Sequence, residues 1–107
     1  MGRLIYNSSN REIEIDDRTL AHLRFAVVNK LRRGESFSLT WEHGVENGSG
    51  RTTMWLNPSV PLQFVFSGNR QPKLNRIWIE RLLLQANSPA GLQYVPEPDE
   101  SEEMDGD

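Results

Sequence analysis

The fold of this chain is decided by the stretch from residue 36 to 67, which holds SFSLTWE (36–42), RTTMWLN (51–57) and LQFVF (62–66) in succession. In the first run apolar and small polar residues alternate without a break, the pattern of a strand with one buried face. The other two runs are rich in Thr, Trp, Phe and Val, which pack well on a pleated surface. Together they predict an antiparallel meander. Its apolar side would carry Phe37, Leu39, Trp41, Leu62, Phe64 and Phe66.

Two helices and three further strands are predicted around this meander. RLIY (3–6) and REIEI (11–15) flank NSSN (7–10), whose side chains favour turns, so these runs predict a hairpin. Asp16 and Asp17 can cap a helix over 17–33 that Gly34 would end. A second, largely apolar helix is expected from about 74 or 75 to 86 or 87, followed by a short strand over 92–95. The prediction is an α+β fold in the order ββαβββαβ, with both helices on one face of the sheet.

Length and charge predict one domain followed by an acidic tail. A chain of 107 residues without cysteine suits a single core that is held by packing alone. Residues 97–107 contain seven acidic and no basic residues, which leaves 12 basic against 8 acidic residues, or +4, in residues 1–96. We therefore expect a single domain over 1–96 and a disordered tail over 97–107. No run has the length and apolarity of a signal peptide or a membrane span, so we expect a cytoplasmic protein without a membrane partner.

Basic residues from both helices and two loops are the candidate binding residues. If the fold gathers them on one side, they form a face that suits a polyanion. Cations in the last turn of the first helix also complement its dipole, so those residues need no ligand to explain them. The candidates are Lys30, Arg32, Arg33, Arg51, Arg70, Lys73 and Arg76, with Trp55 as an aromatic partner.

Two further side chains each allow two interpretations. On a helical projection Arg24 falls between the directions of Leu20 and Val28, inside the apolar stripe. Its aliphatic stem could cover the core with the guanidinium reaching outwards, or the whole side chain could be buried and hold an anion. Trp55 either fills the core or, if it is exposed beside Arg51, forms a stacking platform for single-stranded nucleic acid.

No residue pattern indicates catalysis. His22 is expected on the exposed side of the first helix, opposite the apolar stripe. His43 ends a strand beside Glu42, but general acid–base chemistry requires a partner in a pocket, and zinc requires further ligands. The loop VENGSGRT (45–52) lacks the first Gly and the Lys of a phosphate-binding loop, and a strand rather than a helix follows it. We therefore expect no enzyme activity, no metal and no cofactor.

Five segments together carry a resemblance to a known family: RLIY (3–6), EIEIDDRTLAHL (12–23), KLRRGESF (30–37), WEHG (41–44) and PLQF (61–64). They resemble a family of short actinobacterial proteins without an established function, over about residues 1–98. Members are often labelled ATP-dependent DNA ligase, which implies an association with DNA. Ligation needs a Lys nucleophile in a Lys-x-Asp-Gly motif, and Lys30 and Lys73, the two lysines of the chain, stand in no such motif. The ligase activity is therefore not carried over.

The favoured function is that of a small non-catalytic binding module that meets nucleic acid through its basic face. The acidic tail would then weaken non-specific contacts with polyanions. The alternative is a protein-interaction or homo-oligomerisation module that uses the apolar second helix and an open sheet edge. An enzyme that uses Glu42 and His43 is a third, more distant alternative.

Overall fold

The structure, a computed structural model, describes residues 1–6, 11–42 and 50–99. Its helices and strands confirm the predicted α+β class and the predicted element order. They are β1 (Gly2–Tyr6), β2 (Arg11–Ile15), α1 (Asp17–Arg32), β3 (Phe37–Glu42), β4 (Arg51–Leu56), β5 (Leu62–Val65), α2 (Arg76–Ala86) and β6 (Leu92–Gln93).

The strands form two three-stranded sheets instead of the single sheet with a meander that the sequence predicted. One sheet has the order β2-β1-β5 and the other has the order β4-β3-β6. The β3–β4 hairpin is present, but β5 pairs antiparallel with β1, with Leu4 opposite Phe64. Pro58 and Pro61 in the β4–β5 connection cannot donate ladder hydrogen bonds, which disfavours a tight hairpin there. The β1–β2 and β3–β4 hairpins are therefore as predicted, and only the predicted partner of β5 is wrong.

Local capping sets where the helices begin and end. The Asp16 carboxylate accepts the Thr19 backbone N–H at 3.0 Å and so caps α1, as predicted. At the other end Gly34 has φ of +76°, the left-handed conformation expected of a terminating glycine, and its N–H donates to the Leu31 carbonyl at 2.9 Å. The Asn75 side-chain oxygen caps α2 by accepting the Ile77 N–H at 3.0 Å.

Both helices and both sheets contribute to one core. The predicted apolar character of α2 is explained by this core, because five of its eleven residues are buried there, while Leu84 remains 73% exposed. The most deeply buried side chains include Leu4, Leu20, Val27, Leu56, Trp78, Leu82 and Leu92.

The last strand can approach β3 because Gly91 precedes it. Gly91 has φ of +84°, and a Cβ at this position would lie 2.9 Å from the Ser38 carbonyl oxygen. β6 then pairs parallel with β3, with Leu92 opposite Leu39. A side chain at residue 91 would suffer both backbone strain and a steric clash. Among the residues that the structure describes, neither helix is long and apolar enough to cross a membrane.

A candidate anion-binding groove beside the first helix

One face of α1 lines a groove of about 620 Å³. The residues on this face recur at the i, i+3, i+4, i+7 spacing that places side chains along one side of a helix. The opposite face of α1 is buried in the core, so the groove face is the side of the helix available to a ligand. The α1 residues that line the groove are Ala21, Arg24, Phe25, Val28, Asn29 and Arg32.

The second wall of the groove comes from β5 and from the chain that connects it to α2. Phe64 and Phe66 form its apolar part, and both are half-buried against the core. The connector adds polar and apolar side chains, of which Leu74 is 41% exposed. The connector residues that line the groove are Gly68, Asn69, Arg70, Gln71, Pro72 and Leu74.

The connector is held at both ends by the first turn of α1. The Asp17 carboxylate accepts the backbone N–H groups of Ser67 at 3.1 Å and Gly68 at 3.0 Å. These two hydrogen bonds stabilise the charged carboxylate and lower the pKa of Asp17. At the other end an Arg18 guanidinium nitrogen donates to the Lys73 carbonyl at 3.0 Å. The groove is therefore pre-formed between two elements that are tied to each other.

Three arginines give the groove its electrostatic character. Arg24 lies on α1 with Arg32 two turns further on, and Arg70 lies on the connector. Within residues 1–6, 11–42 and 50–99, none of the three has a hydrogen bond or an ion pair, and no carboxylate lines the groove. Arg24 is exposed and lines the groove, so the interpretation as a buried arginine is wrong. Three like charges in one concave surface raise the local positive potential, which favours an anionic ligand.

Lys30 is not available to a ligand, although the sequence placed it on the basic face. It is 6% exposed, and its ammonium lies 2.6 Å from a Glu35 carboxylate oxygen and 2.6 Å from the Asn87 side-chain oxygen. Two other candidates are also close to carboxylates, since Arg33 lies 3.4 Å from Glu35 and Arg76 lies 3.8 Å from Glu80. The cations in the last turn of α1 therefore divide into a buried structural lysine, a surface ion pair and one groove arginine, Arg32.

The remaining candidates do not meet in the groove. Arg51 lines a second concavity of about 720 Å³ whose lining also includes the acidic Glu14, Asp16 and Glu42. Trp55 is 58% exposed on β4, at the edge of its sheet, and Lys73 is exposed without lining the groove. Of the seven predicted cations the structure thus gathers Arg32 and Arg70, and it adds Arg24.

His22 is completely buried, so its predicted exposure is wrong. Its Nδ1 lies 2.7 Å from the Arg18 carbonyl, and its Nε2 lies 2.8 Å from the Asn75 backbone nitrogen, which donates to it. The ring stacks on Trp78 with 4.4 Å between the centroids. This arrangement requires a neutral ring with the proton on Nδ1. Burial lowers the pKa of His22 and favours the same form. Helical periodicity missed this residue because its burial depends on partners in α2.

The network extends to the start of the predicted acidic tail. Two Arg18 guanidinium nitrogens donate to the Glu97 carboxylate at 2.7 and 2.6 Å. The Asn75 amide donates to Glu97 at 3.1 Å and to the Pro98 carbonyl at 2.9 Å. The Arg18 hydrogen bonds, helped by Asn75, lower the pKa of Glu97 to about 2. Glu97 and Pro98 therefore lie against the domain, and residues 100–107 lie outside the part that the structure describes.

The other chemical hypotheses concern a Glu42–His43 pair, the loop over 45–52 and a metal ion. His43 and most of the 45–52 loop lie outside the described residues. In the described part of the chain, no three His, Asp or Glu side chains are grouped so that they could hold a metal ion.

Comparison with known proteins identifies a family without a known function. A family model described as Domain of unknown function (DUF7882) matches residues 1–97, which include every residue of the groove. No curated protein and no solved structure matches the chain significantly.

Proposed function

The chain belongs to the family Domain of unknown function (DUF7882), and we propose that it is a small non-catalytic module that binds nucleic acid in the groove beside α1. One observation carries the proposal. Arg24, Arg32 and Arg70 share a pre-formed concave surface without a neutralising carboxylate among the described residues. Arginine suits phosphate because its planar guanidinium can donate two parallel hydrogen bonds.

The local positive charge of the groove favours nucleic acid binding, although the net charge of the whole chain does not. The whole chain carries −3, which by itself would repel a polyanion. Phosphate contacts act over a Debye length of about 10 Å at moderate salt, so local arrangement outweighs the total. Three contacts are few beside a dedicated DNA-binding protein, and we therefore expect binding that is readily measured at low salt and weak at physiological salt.

The test is a titration of labelled single-stranded and duplex DNA against the wild type and the triple variant Arg24→Gln, Arg32→Gln, Arg70→Gln. We expect the variant to bind more weakly. The slope of the logarithm of the association constant against log salt, which is negative, should become shallower by about 2 for single strands, because each lost phosphate contact removes about 0.7. The matched control is Arg33→Gln, Lys73→Gln, Arg76→Gln, which removes the same charge outside the groove. Equal losses in both variants would show that only overall charge matters, and no binding at low salt by the wild type would end the proposal.

The tail should be tested with a truncation that leaves the domain intact. Glu97 is bonded to Arg18 and Asn75, so removal after Asp99 is preferable to removal at residue 97. We expect residues 1–99 to bind nucleic acid more tightly than the full chain, since the acidic residues no longer compete with phosphate. Stronger binding by the full chain would contradict the screening role of the tail.

A homo-oligomerisation module is the second candidate, and two exposed apolar side chains favour it. Leu84 on α2 is 73% exposed, and Trp55 is 58% exposed on the edge strand β4. Sedimentation over the micromolar range separates the two candidates, because a monomer at every concentration argues against self-assembly. If a dimer forms, Leu84→Gln should weaken it without affecting binding in the groove.

Three narrower expectations remain predictions. They are the cytoplasmic location, the actinobacterial origin and the association with DNA that the family resemblance implies. The ligase label gains no support from the groove, because neither Lys30 nor Lys73 lines it.

A further inference from the structure

We infer that the groove selects unpaired nucleotides over duplex nucleic acid, with the bases stacking on Phe25. The inference rests on the proposed function and specifies its ligand. It is drawn from three features of the groove: its concave shape, its exposed aromatic surface and its unused amide groups.

The shape of the groove disfavours a duplex. A helix that reads duplex DNA must project into a major groove about 12 Å wide. Here the exposed face of α1 forms one wall of a concavity, and the connector lies opposite it. Arg24 and Arg70 therefore face a shared channel instead of a protruding ridge. A single strand can enter such a channel, because its bases are not held inside a double helix.

The groove also contains exposed aromatic side chains, which a site for a simple anion would not need. Phe25 follows Arg24 directly on α1 and is 43% exposed, an unusual exposure for a residue type that is normally buried. Phe64, Phe66 and Leu74 continue the apolar surface on the other wall. A base stacked on an aromatic side chain is worth about 1–3 kcal/mol and needs no particular sequence. A phosphate held beside such a ring is the arrangement that single-strand binding proteins use.

Amide side chains distinguish bases from other anionic ligands. Asn29, Asn69 and Gln71 line the groove, and none has a hydrogen-bond partner among the described residues. Each amide offers both donors and an acceptor, which match the edges of unpaired bases. An acyl chain would leave these groups unused, and an inorganic polyphosphate, whose ionised oxygens only accept hydrogen bonds, would leave the amide oxygens unused. An acidic peptide would use the arginines without needing the exposed ring, so it becomes an outcome of the test.

The experiment compares four probes of similar charge by fluorescence anisotropy at low salt. They are a single strand of about 24 nucleotides, a GC-rich duplex of about 12 base pairs with the same number of phosphates, an abasic strand as long as the single strand and a poly-glutamate peptide. We expect the single strand to bind about tenfold more tightly than each of the others. Phe25→Leu, which keeps an apolar side chain, should weaken the single strand about fivefold and leave the abasic strand unchanged.

Trp55→Leu is the matched control, because it removes another exposed aromatic side chain that lies outside the groove. It should leave all four affinities unchanged, and thermal unfolding checks that both variants fold. If Trp55→Leu weakens the single strand and Phe25→Leu does not, the stacking surface lies on β4 and the inference is wrong. Equal binding of the single and abasic strands, or tighter binding of the duplex or the peptide, also overturns it but leaves anion binding in place. Binding of none of the four overturns the proposed function itself.

Discussion

The two long faces of α1 differ in whether their polar side chains have hydrogen-bond or ion-pair partners within the protein. The core face carries His22 and Lys30, and each has partners at hydrogen-bond distance. The groove face carries Arg24 and Arg32, and neither has a partner among the described residues. The fold thus satisfies polar groups where burial would be costly and leaves cations unpaired only where a ligand could reach them. A cationic side chain therefore indicates a binding site only when no hydrogen bond or ion pair within the protein already accounts for it.

The core face forms a network that joins three distant segments. Asn75 is its centre, because it is 1% exposed, caps α2 and bonds to both Glu97 and the Pro98 carbonyl. His22 connects the same residue to α1 through the Asn75 backbone nitrogen. Substitutions in this network should lower the stability of the fold, whereas substitutions in the groove should weaken ligand binding.

The largest effect is expected from Asn75→Ala. The variant loses a helix cap and leaves the buried Pro98 carbonyl without its donor, so we expect the free energy of unfolding to fall by about 2–4 kcal/mol. Urea denaturation measures this change. Asn69→Ala is the control, because Asn69 is an exposed groove residue and should change stability by less than about 0.5 kcal/mol. Similar losses in both variants would remove the distinction between the two faces.

A smaller effect is expected at the buried lysine. Glu35→Gln removes the carboxylate that neutralises Lys30, and we expect a smaller loss of stability than in Asn75→Ala, because Glu35 is 36% exposed and water screens its charge. Lys30→Met removes the charge together with its desolvation penalty and should change stability by less than about 1 kcal/mol. Lys30→Met should also leave DNA binding close to that of the wild type. A marked loss of binding in Lys30→Met would place this cation in the ligand site after all.

The smallest effect concerns pH. The folded-state pKa of His22 is lowered by burial from its ordinary value of 6.5, so the unfolded chain binds the proton more tightly. Its contribution to stability is complete above pH 6.5 and is lost as the pH falls towards the folded-state pKa. The Arg18 carbonyl, which accepts the hydrogen bond from the ring, favours protonation, the Arg18 guanidinium charge opposes it, and the charges of Glu97 and Asp16 favour it. Urea midpoints between about pH 7.5 and 5.5 should therefore fall in the wild type and change less in His22→Gln.

Glu97 provides a separate check at lower pH. Its folded-state pKa is about 2 against an ordinary value of 4.5, so the stability it contributes is present above pH 4.5 and is lost as the pH falls towards 2. Glu97→Gln should remove the loss in that range and leave the His22 range intact. Parallel pH profiles for the wild type and both variants would contradict the assignment of these groups.

Much of the fold followed from short-range patterns. The helix over 17–33 was predicted to within one residue of its observed end, because Asp16 and Gly34 act on the turns next to them. The pairing of β5 was wrong for the opposite reason. Alternating residues show that a strand has one buried face, but the choice between β4 and β1 depends on contacts with residues about sixty positions away.

The candidate site was predicted only in part. Arg32 and Arg70 were recognised as cations, yet nothing in their sequence neighbourhoods could show that they share a groove with Phe25. His22 was misplaced because helical periodicity assigns a histidine to the polar side, whereas the Trp78 ring and the Asn75 N–H draw it into the core. The sequence predicted that α1 has a buried and an exposed face, but it did not show which residues at the border of the two faces are buried.

The sequence by itself therefore determined the class of the fold, the order of its elements and the ends of its helices, since each depends on neighbours within a few residues. The tertiary structure alone decided which strands pair, which basic residues are already neutralised and which remain free in one groove. The physical reason is that burial and charge pairing are properties of residues brought together from distant parts of the chain. Arg24 and Arg70 line one groove because Asp17 and Arg18 hold the connector against α1.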